Sequence, residues 1–210
     1  MRQNPLLIVA FFILSFTNFS NAQGYYFNFG QNYTKYDYKD SFGQRNSNIK
    51  SDNGIVVDFG FQWVVSSNEK WHYKAGISLQ QFNAKGANEN FNYSWKTNYL
   101  GLQNSVSYAL YSSSDDDFVV NLNSGFTITK IIKGEQLINN QSYNLTKESE
   151  FNGLYIQPHL GVENEISIND FVKLGLGYRF SKAIRTSTPE SESLNFIINS
   201  FYINFKYLIY

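Results

Sequence analysis

Residues 55–65 read Ile55-Val56-Val57-Asp58-Phe59-Gly60-Phe61-Gln62-Trp63-Val64-Val65. In an extended chain, successive side chains point to opposite faces. Ile55, Val57, Phe59, Phe61, Trp63 and Val65 therefore share one side, and Val56, Asp58, Gly60, Gln62 and Val64 share the other. A helix would scatter both sets around its axis; only a strand separates them. One face is large and apolar, the other mostly small or polar.

The same rhythm fills most of the chain. Period-two stretches cover about 24–36, 54–66, 70–84, 95–112, 117–132, 151–167, 170–184 and 194–210, which predicts eight strands. In the fifth, Phe118, Val120, Leu122, Phe126 and Ile128 oppose Asn121, Asn123, Gly125, Thr127 and Thr129. In the seventh, Val172, Leu174, Leu176, Tyr178 and Phe180 oppose Lys173, Gly175, Gly177, Arg179 and Ser181. In the eighth, Phe201, Ile203, Phe205, Tyr207 and Ile209 oppose Tyr202, Asn204 and Lys206. The fourth is weaker, because Asn104 interrupts its apolar face. Connections alternate in length. Ser66–Glu69, Ser112–Asp116 and Ser167–Asn169 are short; Tyr36–Asn53, Lys85–Tyr93, Lys133–Glu150 and Arg185–Ser193 are longer and polar. Short turns at one end and long loops at the other predict an all-β fold, an eight-stranded antiparallel transmembrane up-and-down β-barrel.

The choice of face decides between membrane and water. A soluble carrier barrel would turn its apolar face inward around a ligand. Glycine argues against that: nine of the 14 Gly fall on the polar face, Gly60, Gly175 and Gly177 among them. Mid-strand Gly weakens an exposed surface but makes room inside a narrow barrel. The bulky apolar faces cannot all fit inside eight strands, so lipid must solvate them. Closure then satisfies every backbone N–H and C=O in hydrocarbon. Trp63, Trp71, Tyr108, Tyr111, Phe118, Phe171 and Tyr207 fall near the short-turn rim, and Tyr99, Tyr155, Tyr178 and Phe180 nearer the other, which predicts two aromatic girdles.

Composition agrees. The chain has 210 residues, a length for one domain. Lys+Arg and Asp+Glu are both 17, so zero net charge offers no general attraction to nucleic acid. With no Cys there is no disulfide, thiol nucleophile or Cys-ligated zinc. At the start, Arg2 precedes the apolar run Leu6–Phe16, and Ser20 and Ala22 set a small-x-small site ahead of Gln23. That predicts a cleaved secretory signal peptide over 1–22 and a barrel domain over 23–210.

The leader, the eight strands and the aromatic C-terminus SFYINFKYLIY resemble small bacterial outer-membrane β-barrels, in the broad PorT-like and OmpX/OmpA-like families. The likeness covers 24–210 in pattern rather than by a sharp motif. It implies insertion by the barrel-assembly machinery, which reads a final aromatic. The register here puts Ile209, not Tyr210, on the apolar face. The PorT-like likeness also implies an alternative role, as accessory to a protein secretion or envelope-assembly machine with periplasmic partners.

Chemistry is concentrated on the inward face: Asp58, Lys74, Glu163, Glu165, Lys173, Arg179 and Lys206. The hairpin at Ser167–Asn169 should bring Glu163 or Glu165 close to Lys173, with Lys206 beside it. The result is a structural ion-pair cluster filling the lumen, since charges in a dry interior must be paired. A gated ion path is the competing interpretation. His159 points inward near Arg179, and His72 lies near the short-turn rim, but no Ser/His/acid grouping stands out. The expectation is therefore that the protein is not an enzyme; a lipid-modifying enzyme is kept only as the third alternative, and no catalytic, cofactor or metal residue is assigned. The run Asp115-Asp116-Asp117 lacks the Gly and distal Glu of a calcium loop and reads as a solvated turn. The expectation is a monomeric barrel in the outer membrane of a Gram-negative bacterium. Lipid surrounds it, its lumen is filled, and its four long outer loops do the recognising of an extracellular partner; a periplasmic protein partner belongs to the accessory alternative.

Overall fold

The computed structural model describes residues 24–40, 42–46, 48–87, 92–115, 117–139, 141–186 and 193–209. The expected leader at 1–22, the cleavage point before Gln23 and the terminal Tyr210 lie outside these residues. So do Asp116 and parts of two expected loops, 88–91 and 187–192.

The strands are β1 Gly24–Lys39, β2 Ile49–Val64, β3 Trp71–Ala87, β4 Asn92–Ser112, β5 Phe118–Ile138, β6 Gln141–Asn144, β7 Leu154–Asn169, β8 Val172–Arg185 and β9 Ser193–Leu208. Every pairing is antiparallel. Around the wall the order is β1-β2-β3-β4-β5-β7-β8-β9, and β9 pairs back onto β1 from Gly24↔Leu208 to Lys39↔Ser193. Eight strands thus close a barrel, while β6 pairs only with the end of β5. Closure leaves no open edge among the eight, as a hydrocarbon environment demands.

The predicted faces hold through the lower part of the wall. Phe29, Phe59, Leu102, Leu160, Leu176 and Ile203 project outward and are exposed. Asn28, Asp58, Gln103, Asn123, Glu163 and Asn204 point inward and are buried. Glycine makes room for this filling: a Cβ at Gly177 would lie 2.3 Å from Cε2 of Tyr202, so only hydrogen fits beside that ring. Polar residues on the outer face are satisfied locally. The Tyr73 hydroxyl donates to Asn104 Oδ1 at 2.5 Å, the Tyr178 hydroxyl to Asn199 Oδ1 at 2.6 Å, and the Leu176 amide to Asn164 Oδ1 at 2.9 Å. Asn104, which breaks the apolar pattern of β4, is therefore not left bare on the wall.

Two expectations fail towards the loop end. The strands run further than the alternation suggests: β4 and β5 each have 21 residues. That is about 70 Å of extended chain, whereas a bilayer needs only about 9–11 residues per strand. The expected polar loop Lys133–Glu150 is a hairpin extension instead. Leu137 pairs with Ser142 and Gln136 with Tyr143, and Asn139 turns the chain with φ 47°. Asn tolerates that left-handed conformation better than most residues.

The second correction concerns polarity. Tyr99 and Tyr155, expected in the outer girdle, have no exposed surface. Higher up the wall the inward face changes from polar to apolar, and lysines join the outward one. On β9, Leu194, Phe196 and Ile198 point inward, whereas lower down the inward set is Ser200, Tyr202, Asn204 and Lys206. On β1 the inward face passes from Asn32 and Thr34 to Tyr36. Outward positions at this level include Lys35, Lys96 and Lys130, all exposed. The lower barrel is apolar outside and polar inside; the upper barrel is aromatic inside and mixed outside, where exposed Ile132, Leu154 and Ile184 stand among the lysines. The short-turn rim keeps its girdle, with Trp71 against Tyr108 at 4.6 Å and Tyr111 against Phe118 at 6.3 Å.

Candidate functional site: a two-tier lumen and an open cavity

The lower tier is built from three ion pairs that cross the lumen. Lys74 on β3 donates to Glu163 on β7 at 2.5 Å. Arg179 on β8 meets Asp58 on β2 at 3.0 Å. Lys206 on β9 donates to Glu165 on β7. All six residues are buried. Polar neighbours complete each carboxylate: Ser78 and Asn28 donate to Asp58, Tyr202 to Glu163 at 2.8 Å, and Asn121 to Glu165 at 2.9 Å. Lys74 Nζ lies 5.8 Å from the Tyr26 ring centre, and the Arg179 guanidinium 5.4 Å from that of Tyr202. The charges cancel, and the cations rest against aromatic faces.

Lys173 stands apart from the pairing expected for it. The register puts Gly175 opposite Glu165 and Gly177 opposite Glu163, while Lys173 faces Ser167 on one side and Lys206 on the other. The same register runs unbroken from Glu163 to Ser167, and the strand passes beyond Glu165 before it turns. β7 also runs to Asn169, so the tight turn is Asp170-Phe171 rather than Ser167–Asn169. Glu163 takes its cation from across the barrel instead of from its hairpin. Lys173 lines a polar cavity of about 1260 Å³ at the short-turn mouth, with His72, Lys206, Glu165, Asp115 and Asp117. His159 is buried on β7, opposite Ser181. Among the described residues, no group of three or more His, Cys, Asp or Glu is placed to hold a metal.

The upper tier is aromatic. Phe196 is its centre, with ring centres 4.9 Å from Tyr36, 5.0 Å from Phe82, 5.2 Å from Tyr155 and 5.6 Å from Tyr99. Ala84, Ala183, Leu194 and Ile198 fill between them. The Tyr36 hydroxyl is satisfied by the Phe82 carbonyl at 2.8 Å, as a buried phenol requires. Residues 145–152 fold over this core as a cap. The Leu145 amide donates to Gly134 O at 2.9 Å, the Asn152 amide to Glu148 O at 2.9 Å, and the Tyr155 hydroxyl to Glu150 O at 2.7 Å. Leu145 and Phe151 are the buried anchors of the cap. Beside it opens a second cavity of about 500 Å³, lined by Tyr36, Tyr38, Ile49, Trp95, Tyr143, Phe151, Glu148 and Glu150 among others. Sequence reading missed both cap and cavity. Their signal was present in Tyr36, Phe82, Tyr99, Tyr155 and Phe196, large rings standing on the parity of the polar face.

No family model matches the chain, and no curated protein matches it in sequence. Among solved structures, Neisserial surface protein A is similar over 88% of this chain and 97% of its own, at 10% identity and a TM-score of 0.49. The outer membrane protein OprG from Pseudomonas aeruginosa is similar over 90% and 97%, at 12% identity and a TM-score of 0.48. Ail, the attachment invasion locus protein of Yersinia pestis, solved with the heparin analogue sucrose octasulfate, is similar over 87% and 99%, at 8% identity and a TM-score of 0.38. Each likeness concerns the path of the chain and extends no further.

Proposed function

We propose that this protein is a non-conducting outer-membrane barrel whose upper part stands in water as a recognition platform. The observation that carries this reading is the change of polarity along the wall. An apolar exterior suits acyl chains; an exterior that carries lysines, over an aromatic core, suits the membrane surface and the water above it. Two tiers of packed side chains lie one above the other in the lumen, so the bore is filled rather than open. The capped end, with its aromatic cavity, is the face offered to the surroundings. In the usual orientation of such barrels, short turns and chain termini face the periplasm. The leader read at 1–22 accords with export to that compartment.

The absence of native cysteine makes the orientation testable. Phe42→Cys, at a residue 86% exposed beyond β1, should react with a membrane-impermeant maleimide on intact cells. Asn68→Cys, in the turn between β2 and β3, should react only after the envelope is opened. The opposite labelling would overturn the reading. A second reading draws on the cavity of about 1260 Å³ at the short-turn mouth, a polar recess wide enough to seat a periplasmic segment. It makes the protein an accessory of a secretion or assembly machine, and a stable periplasmic partner in detergent extracts would favour it.

A further inference from the structure

The cavity beside the cap has a lining chemistry that selects a class of ligand. Its volume of about 500 Å³ lies within the range of about 300–1,000 Å³ typical of small-molecule sites. Aromatic rings form one side of it. Tyr36 lies 5.9 Å from Trp95 and 6.2 Å from Phe151, ring centre to ring centre, and Tyr38 completes that side. Among the described residues, the charged side chains in the lining are Glu148 and Glu150, and no cation lines it. Among the described residues neither glutamate belongs to an ion pair. The Glu150 carboxylate accepts the Ser149 hydroxyl at 3.0 Å. Arg45 is engaged with Asp37 at 3.1 Å and Lys133 with Glu135 at 3.3 Å, while Arg185 lies against Gly153 and is not part of the lining. Lys147 is exposed and is not part of the lining.

Electron-rich ring faces attract a cation with an apolar jacket, and a carboxylate at the rim adds charge complementarity. A neutral apolar ligand would desolvate the glutamates without compensation, and an anionic one would be repelled. We propose that this cavity binds a small alkylated ammonium ion. The ammonium lies among Tyr36, Tyr38, Trp95 and Phe151, with Glu148 and Glu150 as counter-charges. The inference rests on the recognition reading above and names the ligand class of that platform.

The test is calorimetric titration of the mature protein, held in an uncharged maltoside detergent, with choline. Its neutral isostere, in which carbon replaces the quaternary nitrogen, is the comparison. Choline should bind saturably and roughly tenfold more tightly than the isostere. Trp95→Leu should weaken choline by roughly tenfold, and Glu148→Gln with Glu150→Gln by a similar factor, while the double variant leaves the isostere unchanged. Equal affinity for choline and isostere overturns the proposal, as does an absence of saturable choline binding. So does a double Gln variant, folded by its circular dichroism, that binds choline as the parent does. The maleimide pattern is read separately, on intact and opened cells, so a failed orientation and a failed cavity are distinguished.

Discussion

At the scale of single residues, the lower tier makes Lys74 and Glu163 interdependent. Removing one partner leaves a buried charge without compensation, which costs about 3–5 kcal/mol; removing both costs less. Lys74→Met should therefore lower stability to urea in liposomes by about 3–5 kcal/mol, and Lys74→Met with Glu163→Gln should recover a large part of it. A double variant as unstable as the single would show that the pair is not coupled. Lys173→Met should cost far less, because Lys173 borders the mouth cavity and has no ion-pair partner among the described residues. These inward charges were legible in the sequence, because period two assigns each residue to a face. Their partners were not. Lys74 reaches Glu163 and Arg179 reaches Asp58 across the bore, and those meetings depend on the tilt and stagger of the closed wall. Local spacing instead suggested a hairpin partner, Lys173, which the later turn at Asp170-Phe171 sets opposite Ser167, towards the mouth.

Strands report their surroundings through depth. Leu176 is 62% exposed on the outer face of β8, within the apolar band, whereas Ile168 lies close to the short-turn end of β7. Arginine at the bilayer midplane costs about 2–4 kcal/mol, falling to about 0–1 near the interfaces. Leu176→Arg should thus be the more damaging of the two in liposome unfolding, and equal costs would contradict a bilayer around this wall. The lower halves of the strands were readable because Phe59, Leu176 and Ile203 alternate cleanly with Asp58, Gly177 and Tyr202. Their upper ends were not. Where the faces change polarity, as around Thr34-Lys35-Tyr36-Asp37, the alternation loses its phase and imitates a loop. The same loss hid the last turns of β5 and the short β6. It also placed Tyr99 and Tyr155 on the wrong side of the wall.

For the whole molecule, two fillings in series predict a closed conduit with redundancy. The parent protein should show no single-channel steps in a planar bilayer. Phe196→Ala removes the centre of the aromatic tier yet leaves the ion-paired tier in place, so it too should stay silent. Phe196→Ala combined with Lys74→Ala and Glu163→Ala should admit current. A conducting single variant would show that one tier alone makes the seal. The barrel also has a seam. Gly24–Lys39 is held on one side by Ser193–Leu208, the first strand by the last, with most of the chain lying between them in sequence. The ring cannot be joined until Ser193–Leu208 is in place beside Gly24–Lys39. A nascent chain stopped short keeps two raw edges, each a template for stray pairing. It has no partner with which to complete the hoop, so an interrupted copy is fit for proteolysis rather than insertion.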